Sequence, residues 1–181
     1  MTSLFNSPPQ SAGGRPLSQP PVGEYLRSDE RSPLFVVGDS VDVLRSVPAG
    51  CIDCCLTSPP YWGHRAYAGG GIGEEPTPQE YVSRLLRVLD EVRRVLKSTG
   101  SLWLNLGDTY KAKSLVGLPW RVALALTDQQ GWVLRNSVVW NKVKGGPDNA
   151  TDKLCNMHEM ILGVMQLPVA AARFVGLSGS A

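Results

Sequence analysis

The sequence lacks several features that would assign a function at once. No run of 18 apolar residues could cross a membrane, and the first residues lack the apolar core of a signal peptide. The formal net charge is only +2, which neither demands nor excludes a nucleic-acid partner, because a local basic patch is enough. These absences favour a cytoplasmic protein with no membrane partner.

Cysteine is also scarce, with four residues in a chain of 181. Three of them lie in the apolar stretch from Cys51 to Leu56, so we expect buried thiols in a reducing compartment rather than disulfides. The spacing of Cys51 and Cys54 is typical of zinc sites, but no second ligand pair follows at a suitable distance. The sequence therefore predicts no metal site.

Three segments of different composition divide the chain. Residues 1–33 hold six of the 14 prolines and few large apolar residues, which predicts a disordered leader. Residues 34–166 alternate expected strands and helices, and residues 167–181 form an irregular tail. Alternation of strands and helices predicts an α/β fold with a largely parallel sheet.

The apolar pattern predicts five strands, at 34–37, 51–56, 101–106, 132–140 and 158–165. It also predicts three helices: a short one ending near Pro48, a long one from Thr77 to Gly100, and one over 118–130. The series Thr77, Pro78 and Glu80 is typical of a capped helix start. The strand at 51–56 shows no polar alternation, which predicts burial on both faces.

The stretch Thr57-Ser58-Pro59-Pro60-Tyr61-Trp62 follows the second expected strand, where open α/β sheets bind ligands. Proline has no N–H and holds the preceding residue extended, so the Ser58 hydroxyl and the Pro59 carbonyl can present fixed acceptors. The Tyr61 ring stands beside them as a stacking surface. Two acceptors and a ring suit a planar group that carries an NH2, such as a nucleobase flipped out of DNA.

The segment LTSPPYWG at 56–63 resembles the catalytic motif of amino-group DNA methyltransferases, and most closely that of the cytosine-N4 branch. Other segments look like successive blocks of that family between residues 34 and 164: GDSVDVLRSVPAGCID, PQEYVSRLLRVLDEVRRVLKSTGSLWLNLGDTY, VGLPWRVALAL, GWVLRNSVVWNK and HEMIL. The resemblance implies a Rossmann-like, S-adenosylmethionine-dependent enzyme that methylates the N4 amine of a flipped cytosine in double-stranded DNA. Such enzymes belong to bacterial and phage modification systems, in which a restriction endonuclease can be the partner.

The resemblance also implies roles for individual residues. The expected catalytic residues are Ser58, Pro59, Pro60 and Tyr61. The expected cofactor-binding residues are Asp39, Thr57 and Ser58. For Asp39, which matches an acidic residue near the cofactor adenosine, a simple helix cap is the alternative.

Further residues are candidates for contact with DNA. Trp62 either extends the stacking wall or packs on the core. Arg65, Lys142 and Lys144 are expected phosphate contacts, which need only a cation within reach. The pair His158 and Glu159 opens an apolar strand, and we expect a structural role for it.

The first residue of the proline loop bears on the methylated base. Within the superfamily an Asp at that position usually accompanies adenine N6, so Ser58 points to cytosine N4, with adenine N6 as the alternative. Methylation of cytosine C5 would need a nucleophilic Cys beside a Pro, and no Pro-Cys pair occurs. A third hypothesis is a non-catalytic DNA-binding remnant.

One block of the family has no counterpart in the sequence. The glycine-rich cofactor loop should read Asp-Pro-Phe-x-Gly-x-Gly after the catalytic half, whereas RFVGLSGSA at 173–181 has different spacing. We therefore expect the catalytic half of a methyltransferase, incomplete at its C-terminus, whose activity by itself stays open.

This expectation predicts that the 181-residue chain binds S-adenosylmethionine weakly or not at all, because backbone N–H groups of the glycine loop would normally hold the methionine carboxylate. Titration calorimetry with the purified chain measures this directly. Micromolar binding would contradict the prediction.

Overall fold

A computed structural model of the chain describes residues 22–29, 31–64, 71–143 and 150–166. The chain divides into two compact units, Met1–Leu34 and Phe35–Ala181. The described part of the first unit contains one helical turn, α1 (Val22–Tyr25), inside the segment expected to be a disordered leader. The expected tail at 167–181 lies outside the described residues.

The second unit contains a four-stranded sheet in the order β1-β2-β6-β5 and a separate hairpin, β3-β4. Its helices are α2 (Ser40–Ser46), α3 (Pro78–Val95) and α4 (Leu118–Gln130). The sheet strands are β1 (Ile52–Thr57), β2 (Leu96–Leu106), β5 (Val133–Asn141) and β6 (His158–Met165), and the hairpin strands are β3 (Tyr110–Lys111) and β4 (Ser114–Leu115).

The expectation of a largely parallel sheet is wrong for the described strands. Only β1 and β2, which α3 connects, are parallel, whereas β6 runs antiparallel to both β2 and β5. Parallel neighbours need a long crossover, usually a helix. The described residues between β5 and β6 form no helix, so the chain returns in the opposite direction.

The three predicted helices begin where the sequence predicts, and two of them end there. Thr77 caps α3 by accepting a hydrogen bond from the Glu80 amide at 3.2 Å, and Pro78 occupies the first turn. The expected end of α3 at Gly100 is wrong, because β2 begins at Leu96, directly after the helix, and pairs with β1 from there. Helix α4 covers the predicted 118–130, and Gly131 follows it with φ of 65°.

The hydrophobic core lies between one face of the sheet and the helices α3 and α4. The most enclosed sheet side chains on this face are those of Leu102, Leu104, Leu162 and Val164. The helices contribute mainly Tyr81, Leu85, Leu89, Val122 and Leu126. Burial of these side chains holds the ends of the strands in a fixed arrangement, on which the site depends.

Two further expectations about strands are wrong. The strand predicted at 34–37 does not form; it has no partner among the described strands, and Phe35 and Val37 are 76% and 100% exposed. Burial of β1 on both faces is also wrong. Leu56 is 76% exposed, because β1 is an edge strand and both described helices that cover the sheet pack on the other face.

The cysteines are less buried than expected. Cys54 and Cys155 are exposed, while Cys51 and Cys55 are half-buried, and all four are free thiols. Burial raises the pKa of the Cys55 thiol, with the neighbouring Cys54 adding to the effect. Among the described residues, no cluster of three His, Cys, Asp or Glu side chains could hold a metal ion. None of the described helices is long and apolar enough to span a bilayer.

Candidate active site

Three strands bring the candidate site residues to one edge of the sheet. The loop from Ser58 to Tyr61 follows β1, and Asn105 stands near the end of the parallel strand β2. Because β6 is antiparallel to β2, its first residues return to the same edge, with Met160 opposite Leu106. Glu159 therefore lies beside the proline loop. The resulting cavity has a volume of about 510 Å³ and is lined by Ser58, Pro59, Pro60, Tyr61, His64, Lys142 and Glu159.

The Glu159 carboxylate is the centre of a hydrogen-bond network at the back of this cavity. The Tyr61 hydroxyl donates to Glu159 Oε2 at 2.8 Å, and Asn105 Nδ2 donates to the same oxygen at 2.8 Å. The Lys142 ammonium group donates a hydrogen bond to Glu159 Oε1. Glu159 is only 9% exposed, and a buried carboxylate needs such partners.

The network fixes the direction of the next hydrogen bond. The Tyr61 hydroxyl donates its one proton to the hydrogen bond with Glu159 and also accepts a hydrogen bond from Asn105 Nδ2 at 3.1 Å. With that proton engaged, the Tyr61 hydroxyl can only accept from the Ser58 hydroxyl, 3.0 Å away, so Ser58 is the donor in that contact. Both lone pairs of Ser58 Oγ are then left to accept hydrogen bonds from a ligand.

The titration behaviour of the network follows from these contacts. Burial raises the pKa of Glu159, but hydrogen bonds from Lys142, Asn105 and Tyr61, together with the Lys142 charge, outweigh it and hold the pKa below its usual value. Burial raises the pKa of Tyr61, and the hydrogen bond to Glu159 and its negative charge raise it further, against lowering contributions from the Ser58 hydroxyl and the Gly107 backbone. The network is thus a carboxylate paired with a neutral phenol at ordinary pH.

The proline loop is held by contacts on both of its sides. The Tyr81 hydroxyl, from the buried face of α3, donates to the Pro60 carbonyl at 3.0 Å. Gly107 lies against the Tyr61 ring so closely that a Cβ there would stand 2.7 Å from Tyr61 Cε2. His64 meets the same ring edge-on, with centroids 5.8 Å apart. Gly107 therefore permits the position of Tyr61 that the network requires.

The other residues predicted for DNA or cofactor contact are placed differently. Thr57 ends β1 opposite Leu104 and is half-buried. Trp62 is 6% exposed and donates from Nε1 to the Glu75 carbonyl at 2.7 Å, which favours packing on the core over a stacking wall. Lys142 points into the cavity and is bonded to Glu159, so its expected phosphate contact remains a prediction.

Arg65 and Lys144, also predicted as phosphate contacts, lie outside the described residues.

Asp39 has the helix-cap role that was one of its two interpretations. Its Oδ1 accepts from the Val41 and Asp42 amides at 2.9 and 3.3 Å, at the start of α2. Its Oδ2 is not used by the cap. Asp39 also lines a second cavity of about 390 Å³ that shares Pro60 with the first and includes Arg84 and Arg87.

Two residues of the network escaped the sequence analysis. The sequence predicts a structural role for Glu159 and only a place in a strand for Asn105. A signal was available for Glu159, since a carboxylate seldom opens an apolar strand such as EMILGVM unless something pairs with it. Glu159 meets Asn105 and Tyr61 only because β6 runs antiparallel to β2, and the sequence does not predict that direction.

Comparison with known proteins agrees with the sequence motifs. A family model described as DNA methylase, of the N6/N4 type, matches residues 52–165. The type II methyltransferase M.SmaI of Serratia marcescens is 36% identical over 168 residues, which cover 76% of this chain and 57% of that protein. M.XycI of Xanthomonas campestris pv. cyanopsidis is 38% identical over 154 residues, covering 68% of this chain and 51% of the relative. The chain thus spans about half the length of these curated relatives.

Solved structures show the same fold. The PvuII DNA methyltransferase (cytosine-N4-specific) superposes with a TM-score of 0.61 at 22% identity, over 71% of this chain and 47% of that one. The Thermus thermophilus protein TTHA0409, solved in complex with S-adenosyl-L-methionine, superposes with a TM-score of 0.57 at 26% identity, over 72% and 54%. The described α/β unit therefore has the Rossmann-like methyltransferase fold, as the sequence predicted.

The lowered pKa of Glu159 predicts a specific dependence of stability on pH. A carboxylate whose pKa is lower in the folded than in the unfolded chain stabilises the fold above the unfolded value, near 4.5, and this contribution is lost as pH falls through the folded pKa. We expect the wild-type chain to be more stable than Glu159→Gln at pH 7, with a difference that shrinks below about pH 4.5. Urea unfolding at a series of pH values measures both. A difference that does not vary with pH would contradict the assignment.

Proposed function

Because this chain belongs to the N6/N4 DNA methylase family, we propose that it transfers a methyl group from S-adenosylmethionine to the exocyclic N4 amine of cytosine in double-stranded DNA. One observation carries the proposal: the Glu159 network leaves the Ser58 hydroxyl as an acceptor, and Pro59, whose carbonyl is the second predicted acceptor, lines the same cavity. The pair matches the two hydrogens of an amino group.

The amine is a poor nucleophile in the free base, because its lone pair is delocalised into the ring. Ser58 Oγ and the Pro59 carbonyl accept its two hydrogens and favour a more tetrahedral nitrogen, with the lone pair exposed. Prolines on both sides of the carbonyl keep these acceptors in place before the base arrives, so little entropy is lost on binding. This is catalysis by position and electrostatics, without a covalent enzyme intermediate.

The network also offers a path for the proton that the amine must lose. A methylated, positively charged amine on an aromatic ring is a strong acid, so even a carboxylate with a lowered pKa can accept its proton. The proton passes from the amine to Ser58 while Ser58 passes its own to Tyr61 and Tyr61 its own to Glu159. Glu159 returns the proton to solvent when the product leaves.

S-adenosylmethionine, when bound, supplies an electrophilic methyl group. The second cavity, which meets the first at Pro60, fits part of that molecule: Asp39 Oδ2 can accept from ribose or adenine, and Arg84 and Arg87 offer cations. Thr57 and Ser58, also predicted to bind the cofactor, stand where β1 leads into the loop between the two cavities. The relatives that support the proposal include the TTHA0409 protein, whose complex contains this cofactor.

Cytosine is favoured over adenine by Ser58, the residue that resembles the first position of the cytosine-N4 motif. Adenine N6 is the second candidate, since its amine offers the same two hydrogens to the same acceptors. We also propose that the base is flipped out of the duplex into the cavity, with the Tyr61 ring beside it. The type II names of the relatives support a place in a modification system that can include a restriction endonuclease.

Nucleoside analysis by mass spectrometry tests the proposal. Duplex DNA is incubated with S-adenosylmethionine and the chain, alone and with the part of M.SmaI that the chain does not match supplied as a second polypeptide. We expect N4-methylcytosine, and about a 10²-fold lower rate for Ser58→Ala, because one preplaced polar contact to the reacting group is lost. Ser98→Ala, at an exposed position near the start of β2, is the control and should keep the rate.

N6-methyladenine as the product would show that the methyl acceptor is adenine N6 and not cytosine N4. The absence of any methylated base in both incubations would favour the non-catalytic remnant. An unchanged rate for Ser58→Ala would contradict the role of the acceptor pair.

A further inference from the structure

The hairpin β3-β4 has a backbone conformation that its sequence does not favour. Its strands pair Tyr110 with Leu115 and Lys111 with Ser114, and the two turn residues, Ala112 and Lys113, have φ of 49° and 67°. Among the described residues these are the non-glycine residues with positive φ. Two-residue hairpin turns of this kind are normally Asn-Gly or a similar pair, so the lysine stands there against the local preference of the backbone.

The hairpin is fixed at its base. Asp108 Oδ1 accepts from the Thr109 amide at 2.9 Å and from the Leu118 amide at 3.0 Å, which ties the end of β2 to the start of α4. The Val116 amide donates to the Thr109 carbonyl at 2.9 Å and closes the hairpin. The turn therefore projects from a rigid support rather than from a long loop.

The hairpin carries a concentrated positive charge. Residues 110–115 contain two lysines and no acidic residue, so their formal charge equals the net charge of +2 of the whole chain. The Lys113 side chain at the tip is 88% exposed, and its ion pair with Asp152 is long, at 3.8 Å, and open to solvent. An exposed pair of this length is weak, so a phosphate can replace its carboxylate.

The position of the hairpin relates it to the candidate site. It begins three residues after Gly107, which lies against the Tyr61 ring, and Lys111 Nζ stands 5.0 Å from the centre of the Trp62 ring. A third cation, Lys153, places its Nζ 4.6 Å from the centre of the Tyr110 ring. The hairpin thus follows directly on the end of β2 that packs against the Tyr61 ring, and Lys111 lies over Trp62, the residue after Tyr61 in the chain.

We propose that the β3-β4 hairpin is an arm that contacts the phosphate backbone of DNA beside the flipped base, with Lys113 in its turn and Lys111 directly before the turn as the contacting cations. The proposal rests on the proposed function, because it takes DNA as the substrate. It explains why a lysine occupies a turn position that favours glycine. Phosphate contacts of this type orient the duplex without reading its sequence.

Salt-dependent binding tests the arm without any need for methyl transfer. The full chain and its variants are titrated with a fluorescent 30-base-pair duplex at several potassium chloride concentrations, and log K is plotted against log salt. Removal of one phosphate contact should reduce the magnitude of the slope by about 0.9. We expect this change for Lys113→Gln.

Two further variants control the result. Lys97→Gln removes a lysine at the start of β2, where it pairs with Asp53 away from the cavity, and should leave the slope unchanged. The double variant Ala112→Asn with Lys113→Gly creates a favourable turn and should raise the melting temperature. It should still show the smaller salt slope, because the lysine is gone. That combination separates loss of a contact from loss of folding.

The outcomes separate failure of the hairpin proposal from failure of the proposed DNA substrate. Equal slopes for Lys113→Gln, Lys97→Gln and the wild-type chain would overturn the arm and leave DNA binding in place. A wild-type chain with no affinity for the duplex at low salt would overturn both. A reduced slope in both Lys113 variants, with Lys97→Gln unchanged, supports the arm.

Discussion

The candidate site depends on how the buried carboxylate of Glu159 is satisfied. It receives hydrogen bonds from Lys142, Asn105 and Tyr61, so the one hydroxyl proton of Tyr61 is engaged by the carboxylate. Because Tyr61 donates to Glu159, it accepts from Ser58. The lone pairs of the Ser58 hydroxyl are then left to accept hydrogen bonds from a ligand. A single charged group at the start of β6 thereby decides whether the proline loop accepts or donates hydrogen bonds.

The fold supplies the geometry for this arrangement. The parallel pair β1-β2 ends at one edge, and the antiparallel strand β6 begins there, so a loop, an amide and a carboxylate that are distant in sequence come together. The core between the sheet and α3 fixes the loop again through the bond from Tyr81 to Pro60. Gly107 leaves the space that Tyr61 needs. The prolines thus act together with several tertiary contacts.

Much of the fold could be predicted from local signals, because caps and apolar periods act over a few residues. Thr77 and Pro78 mark the start of α3, and Gly131 marks the end of α4. The strand expected at 34–37 does not form, because an apolar run also needs a neighbouring strand to pair with. Leu56 on β1 is exposed for a similar reason, since no described helix covers its face of the sheet. The proline loop was found through its motif. Glu159 and Asn105 were missed because their roles depend on the pairing of β2 with β6.

The most direct test of the Glu159 network measures the Tyr61 hydroxyl itself. In protein labelled with 13C at the tyrosine Cζ, the Tyr61 signal, assigned with Tyr61→Phe, is followed as pH rises. We predict that the pKa of Tyr61 lies above the usual tyrosine value and falls in Glu159→Gln, because the carboxylate charge no longer opposes ionisation. The same ordinary pKa in both proteins would show that Tyr61 does not donate to Glu159, and would contradict the central role of this network.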